Sequence, residues 1–164
     1  NTNGNQSDMC INPLKSIETT QFIDDRDGSV SPVKEVTYQL YDVDGDGNDD
    51  LIINKAIDDG QPIIQYGEDV YINKGTKLVK AKNELGWQMG TFVYTETGIY
   101  RSAYRRFNGE QEVYLVNYHL GTLTESVYAN LTADDIKNMG GEYTGWGKVY
   151  DVPEYEIDDY SPFD

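Results

Sequence analysis

The stretch YDVDGDGNDDLIIN, residues 41–54, carries aspartate at 42, 44, 46, 49 and 50. Short carboxylates spaced two residues apart can turn inward around one hard cation, which takes six to eight oxygens at about 2.3–2.6 Å. Numbered from Asp42, residues Asp42, Asp44 and Asp46 are positions 1, 3 and 5, Gly47 is 6, Asn48 is 7 and Asp50 is 9. The glycine permits a sharp turn, and position 7 offers its backbone carbonyl. Without a cation the five aspartates repel one another. Two unit charges about 4 Å apart cost about 1 kcal/mol in water, and more where they are partly desolvated. An acidic turn held by its own Asx hydrogen bonds is the alternative, but the ligand spacing favours a metal.

Other chemistry has fewer candidates. The one histidine, His119, and the one cysteine, Cys10, exclude an intrachain disulfide and zinc clusters built from Cys and His. A Cys10–His119 dyad is set aside in favour of a strand histidine and a free thiol. No GxSxG, P-loop or dinucleotide fingerprint is present. Paired acids could support glycoside hydrolysis, yet with 29 acidic residues such pairs arise by chance. The cluster Asp24–Asp25–Arg26–Asp27–Gly28 echoes the acidic loop but lacks ligand spacing and contains an arginine. Trp87, Trp146 and Tyr143 are candidates for an aromatic face that stacks on glycan or peptide; packing in the core is the competing explanation.

The net charge of −16 repels phosphate backbones and anionic membranes, which argues against nucleic-acid and lipid-surface partners and for cations. No run approaches a membrane span. The polar start NTNGNQSDM resembles a mature end left after removal of a signal segment, and the Tyr-, Asn-, Asp- and Gly-rich composition leans toward an extracellular or cell-surface location.

The elements around the loop are read from periodicity. Asn12–Pro13 resembles a helix start, with a short helix over 13–23. Residues 33–42 fit a strand better than a helical stripe, because Val36, Thr37 and Tyr38 lose rotamer freedom in a helix. LIINKAI, residues 51–57, is a second strand. Turn signals then recur at 58–62, 66–69, 73–76, 83–86, 95–98 and 108–109, which indicates a meander of short strands. Asn108–Gly109 suits a two-residue turn, placing Phe107 opposite Glu110, Arg105 opposite Glu112 and Tyr104 opposite Val113. The group Arg101, Arg105 and Arg106 is read as ordinary cross-strand pairing. Residues 131–140 read as a helical turn capped by Thr132. The chain divides into a flexible lead (1–10), one globular domain (11–152) and a loosely attached acidic tail (153–164). The expected fold is mainly β (α+β): an antiparallel meander sheet with one or two short helices and one strand-loop-strand calcium site.

Through position 6 the loop matches the EF-hand pattern, which then requires glutamate at position 12, where this chain has Ile53. An unpaired EF-hand-like unit over residues 31–56 would put helices on both sides. With Asp50 at position 9 and hydrophobics at once after it, the motif instead resembles the calcium loops of FG-GAP and VCBS-type repeats, and a type of uncharacterised exported bacterial protein with a YDxDGxG motif. The match covers about residues 36–57 and occurs once, whereas propeller families repeat it. The resemblance implies calcium as the cofactor, with Asp42, Asp44, Asp46 and Asp50 as side-chain ligands, Asn48 as a backbone ligand and Asp49 turned outward. It implies an exported module with a structural calcium and a non-catalytic binding or surface role. A hydrolase acting on glycan or peptide, with carboxylates in a calcium-braced cleft, is the rival.

Overall fold

A computed structural model of the chain describes residues 10–60, 62, 64–86, 90–105, 111–132, 134 and 147–164, and the backbone alone at 102–105, 111, 130 and 131. In chain order the strands of the first sheet are β1 (Gln21–Ile23), β2 (Val30–Tyr41), β3 (Asp50–Ile57), β4 (Tyr66–Asn73) and β5 (Leu78–Lys80), each antiparallel to the next. The second sheet comprises β6 (Lys82–Asn83), β7 (Val93–Thr95), β8 (Gly98–Arg105), β9 (Gln111–His119) and β10 (Thr122–Leu131), in spatial order β6-β10-β9-β8-β7. Among the described residues only the β6–β10 pairing is parallel. A last strand, β11 (Tyr155–Glu156), returns to pair with β2. The fold is mainly β and antiparallel, as the turn spacing predicts. No helix among the described residues is long and apolar enough to cross a membrane.

The first sheet is covered on both faces. On one, Ile52, Val70 and Ile72 pack with Tyr94, Ile99, Val116 and Leu123 of the second sheet. On the other, Val36, Tyr38, Leu51 and Ile53 pack with Leu14, and Ile17, Tyr155 and Phe163 close around them. Every residue of β3 is therefore buried, which explains why LIINKAI reads as a near-continuous apolar run and not as an alternating one. Each fully buried Leu or Ile contributes about 1.5–3 kcal/mol.

Several sequence expectations change. The helix covers residues 10–16, so Asn12 and Pro13 lie inside it and not at its start. Ser16 Oγ donates back to the carbonyls of Asn12 and Pro13, and the segment expected to continue the helix forms β1, because Phe22 is fully buried only when β1 pairs with β2. Cys10 belongs to this helix and is buried, not part of a flexible lead; residues 1–9 lie outside the described residues. YGED at 66–69 is the start of β4 and no turn. Gly67 serves close packing there: a Cβ would sit 2.7 Å from atoms of the Phe22 ring.

The acidic tail is docked on the sheet. Tyr155 pairs with Tyr38, the Phe163 ring stacks on Tyr38 at 6.1 Å, and the Tyr38 hydroxyl donates to the Asp159 carbonyl. The β8–β9 hairpin forms, but Ser102 pairs with Val113 and Arg105 with Gln111, so the expected Arg105–Glu112 and Tyr104–Val113 pairs are not made. Arg105 opposite Gln111 already departs by one residue from the register of a two-residue turn at 108–109, and a bulge between Ser102 and Arg105 adds a second residue to the offset. Residues 106–110, with the expected turn, lie outside the described residues, as does most of the expected helix over 131–140. Within that span Leu131 ends β10 and Asp134 is helical.

Sequence reading passed over β10. It is joined to β9 by Leu120–Gly121, both at positive φ (48° and 85°), with His119 paired to Thr122. Two central residues at positive φ define the type I′ turn, in which Asn-Gly is the favoured pair. Leucine has a Cβ that makes this conformation costly, by about 1–2 kcal/mol, and Leu120 is 87% exposed, so its side chain gains little in return. Leu120→Asn is expected to stabilise the chain by about 1 kcal/mol, raising the thermal midpoint by about 2–4 °C; calorimetry of the two proteins measures the difference.

Candidate metal centre

The acidic loop connects β2 to β3, and its ends are joined by the Tyr41–Asp50 pair. Strands flank it on both sides, which rules out the EF-hand-like arrangement. The loop is folded around its own carboxylates. Asp42 Oδ1 accepts from the backbone N–H of Gly45 (2.9 Å) and Asp46 (3.2 Å), and Oδ2 from Gly47 (2.8 Å). Gly45 and Gly47 have φ of 77° and 88°, a region open to glycine without steric cost. That conformation turns successive N–H groups toward Asp42.

Asp50 anchors the loop to the core. It is fully buried. Its Oδ2 accepts from Val43 N at 2.7 Å and its Oδ1 from Asn73 N at 2.8 Å, so one carboxylate ties the loop to the end of β4. Asn73 continues the connection by donating Nδ2 to the Asp49 carbonyl and accepting from Gly75 N.

Carboxylate oxygens of Asp42, Asp44 and Asp50 all lie within 4.8 Å of one another. These three residues could hold a metal ion. Asp46 is not one of the three; its Oδ1 accepts from Asn48 N at 2.9 Å. Asn48 is half-buried, and Asp49 is exposed, as expected from its place between ligand positions. Burial pushes the Asp50 carboxyl up to about 6, with backbone N–H groups opposing the shift. The Asp44 carboxyl is also raised, by burial and by Asp42 beside it. A bound cation would offset both penalties, since it favours the ionised forms.

The second acidic cluster is a turn between β1 and β2. Arg26 grips both oxygens of Asp24, with Nη2 at 2.7 Å from Oδ2. The bond to Arg26 lowers the Asp24 carboxyl below its usual value. Gly28 N donates to the Asp24 carbonyl and Ser29 N to Asp27 Oδ1, which completes a turn without metal geometry. Cys10 is packed in the helix, and burial, with Asp49 and Asp50 adding to it, pushes its thiol up to about 11, far from a nucleophile's range. Trp87, Tyr143 and Trp146 lie outside the described residues.

A charged group that sequence reading missed sits between the sheets. Arg101 and Glu68 are both fully buried, Nη1 3.5 Å from Oε2, and Arg101 Nε is 4.0 Å from Glu125 Oε2. Among the described residues, none of the three Arg101 side-chain nitrogens, neither oxygen of Glu68 and not Oε2 of Glu125 has a hydrogen-bond partner. Cross-strand pairing does not account for Arg101, whose partner on β9 is Tyr114. In the sequence Glu68 stands beside Gly67 in YGED, a turn signal that hides its place in β4.

Burial pushes the Glu68 carboxyl up to about 7 from 4.5, with Arg101 opposing and Asp69 and Glu125 adding to the rise. An acid with a raised value in the fold binds its proton more tightly there than in the unfolded chain. Its contribution to stability is fully present below pH 4.5 and is lost as pH rises through about 7. The thermal midpoint of the wild type is expected to fall between pH 5 and pH 8, and that of Glu68→Gln, which mimics the protonated acid, to fall less. Equal slopes in the two melting series would contradict this assignment.

Compared with known proteins, the chain matches no family model, and neither a curated protein nor a solved structure is significantly similar to it.

Proposed function

We propose that the loop between β2 and β3 holds one structural calcium ion, and that the protein is an exported, extracellular or cell-surface module whose role is binding or surface structure and not catalysis. The observation that carries this reading is the convergence of three carboxylates, from Asp42, Asp44 and Asp50, on a loop clamped at both ends by paired strands. The acid-rich oxygen donor set suits a hard cation. The motif DxDxDGxxD with hydrophobics directly after it, which resembles the FG-GAP and VCBS-type calcium loops, favours calcium among such cations. Asp46 and the Asn48 carbonyl complete the shell on this reading.

The ion would neutralise carboxylates that burial and proximity now penalise, and would stiffen the link from β2 through Asp50 to the end of β4. With an affinity near the 10⁻⁴ M of extracellular modules, millimolar calcium contributes about 1.4 kcal/mol. That is a stabiliser's contribution, and no switch. Thermal unfolding with and without calcium tests it. The wild-type midpoint should rise by about 3 °C in calcium and less in magnesium, whereas Asp44→Ala should show no calcium-dependent rise. A wild-type midpoint that calcium leaves unmoved would falsify the proposal.

A further inference from the structure

A pocket of about 310 Å³ opens on the first sheet, at the end of β2 and β3 remote from the acidic loop. Glu35 and Thr37 come from β2, Asn54 from β3 and Tyr66 from the start of β4, while Glu154 and Glu156 belong to the returning tail. The pairing of Glu156 with Thr37 and the bond from the Thr37 hydroxyl to the Glu154 carboxylate fix the tail as one wall. Glu35, six residues before Tyr41 on an extended strand, lies about 20 Å from the loop's base.

The charged residues of the lining are all acidic. Three exposed glutamates face a volume at the lower end of those that hold small ligands, about 300–1,000 Å³. No Lys, Arg or His is among the lining residues. Asn54 is 98% buried at this face: its Nδ2 donates to Gln39 Oε1 at 3.1 Å, and its Oδ1 has no hydrogen-bond partner among the described residues. A buried acceptor without a donor costs about 1–3 kcal/mol. The floor therefore lacks a donor, and the walls lack positive charge.

We infer that this pocket binds a small organic cation rich in N–H donors, a guanidinium or primary ammonium group. A divalent metal does not fit as well. Among the described residues only Asp42, Asp44 and Asp50 bring three carboxylates within 4.8 Å of one another, so the pocket glutamates stand too far apart for one coordination shell. Dispersed carboxylates lining one pocket with a buried amide residue match a planar, multi-donor cation, whose N–H groups diverge. The end of an arginine or lysine side chain on a peptide carries the same chemistry.

Agmatine is the probe, with n-butylurea as its uncharged counterpart, titrated into the whole chain by calorimetry and followed by NMR at the Asn54 side-chain amide. Agmatine should bind saturably, one per chain, and shift the Asn54 amide; n-butylurea should not. Glu156→Gln, at an exposed position, should weaken binding roughly tenfold, the loss of one charge-assisted hydrogen bond. Glu84→Gln, which removes an equal charge just after β6, should leave affinity unchanged, as should Asp44→Ala. The inference is overturned by non-saturable binding, by equal weakening in Glu156→Gln and Glu84→Gln, by equal binding of n-butylurea, or by displacement of agmatine when calcium is added.

Discussion

Strand β3 has no face toward water, and this constraint organises the molecule. Its neighbours must supply a core on each side, which they do with the second sheet on one and the helix and tail on the other. A polar group on β3 has to find a partner inside the protein, and among the described residues Asn54 Oδ1 is the one on this strand that does not. Lys55 does so with Asp69, at 2.8 Å, and the Gln21 carbonyl. Asp50 does so with two backbone N–H groups from different segments. The acidic loop is rigid where it enters the core because the first residue of this strand is buried together with its charge.

The face that β3 shares with the second sheet grades in polarity along the strands. Ile52, Val70 and Ile72 form its apolar part. Next come Gln39, Asn54 and Tyr94, joined by hydrogen bonds at Gln39 Oε1, with Glu68 opposite Asn54 and Arg101 beyond. The face ends in the exposed glutamates of the pocket. Burying an ion pair without hydrogen bonds costs more than the attraction returns, so the Arg101–Glu68 pair marks a place where packing was not optimised for stability. The net charge of −16 adds to this: acids placed near acids recur at the loop, in the seam and in the pocket.

The fold class and the loop's setting between strands were legible because they rest on local signals: recurrent turns, β-branched residues in runs, and aspartates spaced by two. What was not legible depended on partners distant in sequence. The spacing of Ile17 and Phe22 suits a helix over 13–23, and only the pairing of β1 with β2 overrides it. Gly67 spoke for a turn because its real reason, the Phe22 ring, lies 45 residues earlier. β10 hid because its polar residues Thr122, Thr124 and Ser126 and its turn leucine gave neither clear alternation nor a Gly-Asn signature. The convergence of Asp42, Asp44 and Asp50 agrees with their spacing, while the grip of Val43 and Asn73 on Asp50 could not be read, since backbone donors leave no mark in a sequence.

The returning tail has a consequence for how the chain reaches this state. Tyr155 pairs with Tyr38, 117 residues earlier, and Phe163 seals the same ring. Contacts of such long range slow folding, because the loop must close before the contact rewards it. A nascent chain that has made only β2 to β4 exposes Tyr38, Leu51 and Ile53 on an open, sticky sheet. Until residues 155–163 leave the ribosome, that surface is a hazard for self-association, and cellular holdases would be its natural cover.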